Sequence, residues 1–310
     1  MNLIYTALFY QETFINLLEL FVESISTNGN IDKNKTDILI LTSPNFLPKI
    51  KQRLSEIDLP IKYFLFDFST LFEAVYSRLL IFQYENIEKY EKILYIDTDV
   101  LINSDINILF DIEIADDKIY ALEEGNIGNE YWGAIFFDFD SSGNLTKDST
   151  PKYAKYNKDT SAYSAGVMYF KNSNEIKELF EDVKNHINQY VVVEKNPMPV
   201  CMEQTFLIYN SFIQDKYDNQ MMKKYVENNP TGVSDDKIVY HFPGGPGNYT
   251  SKYDKMNIFL MKMENGKQKE GVETTSIDTL IINYNWLNIK TVILCVFIFF
   301  VVIYAIFYFL

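Results

Sequence analysis

Lys92-Ile-Leu-Tyr-Ile-Asp-Thr-Asp-Val-Leu-Ile102 is the stretch of sequence that decides the fold. Its first half is a short run of branched and aromatic residues, which is typical of a buried parallel strand. Asp97 and Asp99 follow this run directly. In open α/β sheets, ligands bind beyond the carboxyl ends of such strands, and carboxylates placed there can hold a divalent cation against a diphosphate. An isolated Asp-x-Asp is more often a solvated turn, but the preceding strand and several downstream motifs favour a cation site.

The chain on both sides of this stretch alternates between predicted strands and predicted helices. We expect strands at Leu3–Phe9, Asp37–Leu41, Ile61–Phe66, Lys118–Leu122, Val167–Phe170 and Ile238–His241. We expect helices at about Glu12–Ser26, Asn45–Ile57, Thr70–Glu85, Asn174–Tyr190 and Glu203–Phe212, with a helical turn at Asp105–Asp111. This alternation predicts an α/β fold with a doubly wound, mostly parallel sheet and flanking helices.

The long segment Glu123–Thr160 is predicted to be irregular, because it is rich in Gly, Asn, Asp, Ser and aromatic residues. Loops of this length in a compact domain are usually functional or mobile. We interpret it as the acceptor side of a cleft, or as a surface insertion. Its aromatic residues are candidates for stacking on a ligand or for packing in the core: Tyr131, Trp132, Phe136 and Phe137.

Composition limits the possible partners. The chain has 310 residues, 47% of them hydrophobic, which is enough for one sizeable core. Its formal charge of -14 argues against nonspecific binding to nucleic acid or to anionic lipid. An anionic substrate must therefore be held by a metal ion or by local cations. The two cysteines, Cys201 and Cys295, do not form a disulfide framework.

The last segment, Thr291–Leu310, contains no charged residue. As a helix it would span about 30 Å, the thickness of a bilayer core. We therefore predict three parts: a globular domain at residues 1–263, a polar tether at residues 264–290 and a C-terminal transmembrane anchor at residues 291–310. Insertion of such a late span leaves the globular domain on the cytosolic side, so that the glycosylation sequons at Asn34, Asn144 and Asn248 stay unmodified.

Further motifs follow the Asp-x-Asp in a characteristic order. They are Asp105-Ile-Asn-Ile-Leu-Phe110, Tyr163-Ser-Ala-Gly-Val167, Glu203-Gln204 and His241-Phe-Pro-Gly244. This order resembles the family 8 glycosyltransferases, the retaining enzymes of the GT-A fold that include glycogenin and bacterial galactosyltransferases. The resemblance covers roughly residues 1–260 and implies a GT-A fold for the globular domain.

The resemblance also implies roles for particular residues. Asp97, Asp99 and His241 would bind the metal ion, and imidazole beside carboxylates suits Mn²⁺ better than Mg²⁺, although Mg²⁺ stays open. Residues expected at the nucleotide-sugar donor are Asp97, Arg78, Ser164, Ala165, Gly166, Gly244, Gly245 and Lys252. Glu203 and Gln204, and more remotely Asp159, are the candidates beside the reacting carbon. The chain departs from the family where Ser164 replaces an asparagine, where Glu203 replaces an aspartate, and where Gly247 stands in a loop that usually ends in Lys-Pro-Trp.

The leading interpretation is a membrane-tethered, Mn²⁺-dependent retaining glycosyltransferase. It would move a hexose from a nucleotide-diphosphate sugar, in the first place a UDP-sugar, to a hydroxyl group of a glycan, protein or small molecule. One alternative is a degenerate, inactive member that serves as a tethered binding module for nucleotide sugars or glycans. Another is a sugar-nucleotide pyrophosphorylase, which the lack of an N-terminal Gly-rich loop with a basic residue disfavours.

Overall fold

The computed structural model describes residues 1–147, 150, 152–244 and 249–268. Its strands are β1 (Asn2–Leu8), β2 (Thr36–Thr42), β3 (Ile61–Leu65), β4 (Lys92–Ile96), β5 (Val100–Ile102), β6 (Ile119–Asn126), β7 (Ser161–Lys171), β8 (Tyr217–Asp218), β9 (Val226–Asn228) and β10 (Val239–His241). Within these residues, a central seven-stranded sheet has the order β3-β2-β1-β4-β7-β6-β8, and a small sheet has the order β5-β10-β9.

The helices flank the central sheet. They are α1 (Ile15–Asn28), α2 (Leu47–Arg53), α3 (Leu71–Tyr76), α4 (Asn107–Phe110), α5 (Glu130–Gly133), α6 (Asn174–Ile187), α7 (Met202–Ile213) and α8 (Tyr249–Gln268). Segments of 3-10 helix lie at Glu12–Phe14, Ser77–Gln83, Ile87–Lys89 and Met221–Lys224, and one π-helical segment lies at Asn188–Val193.

Both faces of the central sheet are covered. Along β2, all seven residues are buried, and successive side chains enter different cores: Leu39 and Leu41 join one cluster, whereas Ile38 and Ile40 join the other. This is the expected pattern for a parallel strand with helices on each side. Strands β1 to β4 pair in parallel, and β7 runs antiparallel to both of its neighbours, β4 and β6. The predicted α/β fold with a mostly parallel sheet is confirmed.

The predicted helix Thr70–Glu85 is divided in the structure. Thr70 begins α3 with a capping box, in which its side chain accepts a hydrogen bond from the Glu73 amide and the Glu73 carboxylate accepts one from the Thr70 amide. After Tyr76 the chain continues as a 3-10 helix. The five residues 77–81 are all buried, and a run of this kind does not fit on one face of an α-helix.

Helix α8 was not predicted from the sequence, although it carries a helical pattern. Met256, Phe259, Leu260 and Met263 recur at helical spacing and are buried. They pack on residues from α1, β5 and β10 and the position after it: Leu17, Leu20, Leu101, Tyr240 and Phe242. Residues Met1–Met263 form one compact unit. The first residues of the predicted tether, up to Gln268, belong to α8.

The predicted transmembrane anchor at residues 291–310 lies outside the described residues. Within the part of the chain that the structure describes, there is no helix whose length and apolar character would suit a membrane span.

Candidate active site

A cavity of about 450 Å³ opens beyond the carboxyl ends of β1 and β4. These two strands are neighbours in the parallel half of the sheet, where a ligand crevice is expected. Most of the predicted site residues line the cavity: Arg78, Asp97, Asp99, Ser164, Gly166, Glu203, Gln204, His241, Gly244 and Lys252. Residues that are far apart in the sequence therefore meet in one place.

The two acids of the Asp-x-Asp are fixed by backbone hydrogen bonds to other strands. The amide of Asp97 donates to the carbonyl of Gly166 at 2.8 Å, which continues the pairing of β4 with β7. The carbonyl of Asp99 accepts from the amide of Phe242 at 2.9 Å. The segments that carry Gly166 and His241 are thus held against the two carboxylates.

His241 is the last residue of β10 and is brought to the acids by the antiparallel pairing of β10 with β5. Its Nδ1 lies 2.8 Å from Oδ1 of Asn228. Its Nε2 points to Asp99, at 3.5 Å from Oδ1. The imidazole packs directly on Gly166, because a Cβ built on this glycine would lie 2.3 Å from Cε1 of His241. The hydrogen bond to Asn228 fixes the orientation of the ring and leaves Nε2 available as a ligand atom.

Asp97, Asp99 and His241 fit a divalent cation. Their ligand atoms all lie within 4.8 Å of one another. Oδ1 of Asp99 is buried and has no hydrogen-bond partner among the described residues, and a buried polar atom of this kind requires an explanation. Two carboxylates and one imidazole form a mixed oxygen and nitrogen donor set, which suits a divalent transition metal. A bound cation would satisfy the orphaned oxygen.

Arg78 connects Asp97, one of the candidate metal ligands, with Glu203. Its Nη2 lies 3.3 Å from Oδ1 of Asp97, and its Nε lies 3.1 Å from Oε1 of Glu203. Its Nη1 donates to the carbonyl of Ala165 at 2.8 Å. The guanidinium group also stacks on the ring of Tyr95, at 4.8 Å from the ring centre. Because every nitrogen of the guanidinium has a protein partner, Arg78 acts here as a buried counter-charge for two acids.

Burial and charge shift the pKa values of these groups in different directions. Burial raises the pKa of Asp97 and of Glu203, although the nearby Arg78 opposes the shift in both. Burial also acts to raise the pKa of Asp99, but His241 and Lys252 hold it well below its usual range. For His241, burial acts to lower the pKa, and the carboxylates of Asp99 and Asp97 raise it overall. Asp99 is therefore the acid that is held most firmly in its charged form.

Glu203 and Gln204 stand in the first turn of α7. Glu203 is buried, and its carboxylate faces the helix N-terminus as well as Arg78. The Gln204 amide joins α7 to β7: its Oε1 accepts from the amide of Ala165 at 3.2 Å, and its Nε2 donates to the carbonyl of Tyr163 at 3.4 Å. These contacts fix the irregular part of β7 that contains Ser164 and Gly166.

Lys252 reaches the site from α8. Its Nζ lies 2.5 Å from Oδ2 of Asp99 and donates to the carbonyl of Gly244 at 2.7 Å. Gly244 has a φ of 139°, a conformation that favours glycine. The predicted donor residue Gly245 lies outside the described residues, as does Gly247.

Three expectations differ from the positions in the structure. Ala165, expected at the donor, is not among the described residues that line the cavity. The described residues that line the cavity do not include Asp159, which lies exposed in a turn where its amide donates to Oδ1 of Asn157. The charged sequence around His186 indicates a solvated surface residue, but the structure differs. His186 is half-buried against the rings of Phe206 and Tyr209, and its Nδ1 lies 3.1 Å from Nδ2 of Asn210. Its own helix α6 packs on α7, which the sequence of α6 does not reveal.

Sequence reasoning missed three residues at this site. Glu124, near the end of β6, lines the cavity, Asn228 orients the metal-site histidine, and Tyr95 donates a hydrogen bond to Oδ1 of Asp97. Of these, Tyr95 had a signal, because it lies two positions before Asp97 on the same face of the strand. Of the four aromatic residues singled out in the segment Glu123–Thr160, Tyr131 and Trp132 line the cavity, whereas Phe136 and Phe137 belong to the core.

Known proteins resemble this chain in sequence family and in fold. The model of glycosyl transferase family 8 matches residues 22–246. No curated protein matches the chain significantly. Galactosyltransferase LgtC, solved with donor and acceptor sugar analogues, has a TM-score of 0.54 and 14% identity, over 90% of this chain and 98% of that chain. Mouse xyloside xylosyltransferase 1 in its apo form has a TM-score of 0.52 and 11% identity, over 80% of this chain and 99% of that chain.

The apo structure of the bifunctional glycosyltransferase WbbM has a TM-score of 0.53 and 15% identity, over 84% of this chain. The chain spans only about half of WbbM, 51% of its length. At such identities these structures show a common fold, and the central sheet with its flanking helices is of the GT-A type. Because the family match covers most of the sequence, the chain belongs to glycosyl transferase family 8 and is a glycosyltransferase.

Proposed function

We propose that the protein is a metal-dependent retaining hexosyltransferase. It takes the sugar from a nucleotide-diphosphate sugar, in the first place a UDP-sugar, and transfers it to a hydroxyl group of an acceptor. The observation that carries this proposal is the convergence of Asp97, Asp99 and His241, whose ligand atoms lie within 4.8 Å of one another at the carboxyl end of β4. The cavity beside them, at about 450 Å³, has the size of a small-molecule site.

The reaction breaks the bond between the anomeric carbon and a diphosphate oxygen, and it forms a bond to the acceptor oxygen, whose proton is released. A divalent cation, Mn²⁺ by the donor set, would supply the positive charge that stabilises the departing nucleoside diphosphate. Asp97 and Asp99 are preorganised for this task by their bonds to Gly166 and Phe242. Arg78 is the shared ion-pair partner of Glu203, which is buried, and of Asp97, which is 26% exposed.

The α7 side of the cavity is where we place the sugar. Glu203 and Gln204 line it, and Ser164 and Gly166 face it from β7. Retention requires either a carboxylate nucleophile or a route in which the leaving phosphate assists the acceptor. Glu203 is the carboxylate available for the first route, although in this structure Arg78 holds it at 3.1 Å. The acceptor would approach along Tyr131 and Trp132, whose rings offer stacking surfaces.

We also propose that residues 264–290 connect the catalytic domain to a membrane anchor at residues 291–310, with the catalytic domain on the cytosolic side. The uncharged composition of Thr291–Leu310 supports this arrangement.

Release of nucleoside diphosphate by the full-length protein tests the proposal. A panel of UDP- and GDP-sugars is offered with Mn²⁺, and the anomeric configuration of the product is read by NMR. The variants Asp97→Asn and Asp99→Asn remove one ligand charge each while keeping the side-chain shape. Asp58→Asn is the matched control, because the Asp58 side chain is 95% exposed and forms a surface ion pair with Lys33.

We expect release from one donor, with retained configuration, in the intact protein and the control, and a loss of at least about a hundredfold in both site variants. An inverted product would refute the retaining mechanism. Binding of nucleotide and metal without release from any donor, with acceptors supplied, would favour the inactive binding module instead.

A further inference from the structure

Lys252 is a buried cation whose position invites a functional explanation. Only 7% of its side chain is exposed, and its ammonium group lies between Oδ2 of Asp99 and the carbonyl of Gly244, at 2.5 and 2.7 Å. Lysine is rarely buried to this extent unless it is paired, because desolvation of the charge is costly. The partner here is one of the three candidate metal ligands.

The position of Lys252 is set by the packing of α8. One turn further along the helix, Met256 is fully buried, followed by Phe259. These side chains lie in the cluster that contains Leu101 of β5 and Tyr240 of β10, the strands that flank Asp99 and carry His241. The helix therefore places the ammonium group at the metal site through the same contacts that hold this part of the fold together.

Each acid of the Asp-x-Asp has its own buried cation. Arg78 lies 3.3 Å from Asp97 and is also held by Glu203, so that its charge is shared. Lys252 has Asp99 as the nearest carboxylate and is otherwise bonded to a neutral carbonyl. A divalent cation among Asp97, Asp99 and His241 would lie within a few ångströms of this ammonium group. Two positive charges so close together in a buried site repel each other strongly.

We propose that Lys252 is an internal counter-ion of Asp99 that competes with the divalent cation, so that metal binding requires the ammonium group to leave the carboxylate. This inference rests on the metal site of the proposed function. It gives Lys252 a role in the metal-free protein, in which the ammonium group faces Asp99 from one side and the imidazole of His241 faces it from the other. The lysine thereby keeps the site folded and lowers its affinity for metal.

Direct measurement of Mn²⁺ binding tests this role. Free Mn²⁺ is titrated by electron paramagnetic resonance against the full-length intact protein, Lys252→Met and Lys255→Met, without nucleotide. Lys255 lies on the same helix and is exposed, so its variant removes the same charge without touching the site. We expect Lys252→Met to bind Mn²⁺ about tenfold more tightly than the intact protein. Lys255→Met should change the affinity by less than about twofold.

A second measurement uses the intact protein and does not depend on the folding of a variant. Acetic anhydride acetylates lysines whose amine is accessible, and mass spectrometry quantifies each site. We expect acetylation of Lys252 to be slow without metal and to rise several-fold with saturating Mn²⁺, while acetylation of Lys255 stays constant. Saturation is verified by the same resonance titration.

The outcomes separate this inference from the proposed function. If Mn²⁺ binds to the intact protein, and Lys252→Met binds it equally or more weakly while Lys252 acetylation is unchanged by metal, the counter-ion role is overturned and the metal site stands. If neither the intact protein nor either variant binds Mn²⁺, the metal site itself is wrong, and the inference falls with it.

Discussion

At the scale of single residues, Gly166 leaves room for the imidazole of His241 because it has no side chain. A Cβ at this position would lie 2.3 Å from Cε1 and 2.6 Å from Nε2 of His241. We expect Gly166→Ala to displace the imidazole and to lower kcat/KM by about tenfold or more, since small misplacements of a site residue are costly. Steady-state kinetics at several Mn²⁺ concentrations measure the effect.

Gly232→Ala is the control for this substitution, because an added Cβ there would meet no described atom within 4 Å. Equal activity of the two alanine variants would show that the imidazole does not need its contact with Gly166.

Removal of the Arg78 guanidinium group should lower the stability of the fold, because two carboxylates share it. Arg78→Met leaves the buried carboxylate of Glu203 and the partly exposed carboxylate of Asp97 without their shared cation. We expect the free energy of unfolding, measured by urea denaturation, to fall by about 3–5 kcal/mol.

The chain contains a suitable comparison in Arg53, whose ion pair with Glu19 is exposed to solvent. Arg53→Met should cost less than about 1 kcal/mol. A similar loss in both variants would mean that Asp97 and Glu203 take up protons at little cost when Arg78 is absent.

His186 should make the free energy of unfolding depend on pH. Burial lowers the pKa of His186, and the hydrogen bond with Asn210 only partly opposes this. Because the folded pKa lies below the unfolded value of about 6.5, the unfolded chain binds the proton first. The stabilisation is therefore complete above that value and is lost as the pH falls below it.

We expect the free energy of unfolding to drop less between pH 7 and pH 5 in His186→Gln than in the intact protein, as measured by urea denaturation at each pH. His241 titrates in both proteins and cancels in the comparison. An unchanged pH dependence would show that the imidazole of His186 is as well solvated in the folded protein as in the unfolded chain.

The three candidate metal ligands could be found from the sequence because each one lies in a short motif beside a strand. Asp97 and Asp99 follow a buried strand, and His241 ends one. Glu124 and Asn228 gave no such signal. Their positions at the site depend on the pairing of β6 with β7 and of β9 with β10. The local sequence around a residue does not predict which distant strands will pair.

At the scale of elements, α8 belongs to the compact unit Met1–Met263 over most of its length, as far as Met263. Phe259 is 6% exposed and contacts the rings of Tyr240 and Phe242. We expect Phe259→Ala to lower the free energy of unfolding by about 3–5 kcal/mol, as is typical of a large-to-small change in a core. Ile258, its neighbour in sequence, is 51% exposed and provides the control.

Ile258→Ala should cost less than about 1 kcal/mol. Urea denaturation of both variants measures the difference. If the two losses were alike, α8 would be only loosely attached to the domain, and Lys252 would lose its defined position at Asp99.

Strands and helices were predictable from the sequence where a single hydrophobic periodicity, that of a strand or that of a helix, dominates the segment. Strands β1, β2 and β4 and helix α6 lie within a few residues of their expected bounds. The antiparallel direction of β7 was not predictable. An apolar strand that is buried on both faces has the same residue pattern whether it runs parallel or antiparallel to its neighbours. Helix α8 is different, since its apolar spacing was present in residues that we assigned to the globular domain, but no helix was predicted from it, and only its end from residue 264 falls in the predicted tether.

At the scale of the whole molecule, the proposed anchor and its orientation predict where the protein is found. We expect the full-length protein in the membrane fraction, and a variant lacking residues 291–310 in the soluble fraction. With the catalytic domain on the cytosolic side, the sequon at Asn34 should carry no glycan when the protein is expressed in eukaryotic cells. Glycosidase digestion followed by gel mobility measures this.

Asn34 is an informative reporter because it lies exposed just before β2. Burial of the Asn34 side chain would therefore not explain a missing glycan, whereas a cytosolic position of the domain would. A mobility shift on digestion would place the domain on the opposite side of the membrane, and recovery of the full-length protein in the soluble fraction would contradict the anchor.

The pairing of β10 with β5 places His241 beside two acids that precede it by almost half of the chain. Translation proceeds from the N-terminus, so the ribosome completes β4 long before β10 and α8. A nascent chain at that stage contains both aspartates but lacks His241, the third candidate ligand, and Lys252, which faces Asp99. Under the proposed function, catalytic competence therefore arrives late in synthesis, because the candidate metal site is incomplete until His241 has been added.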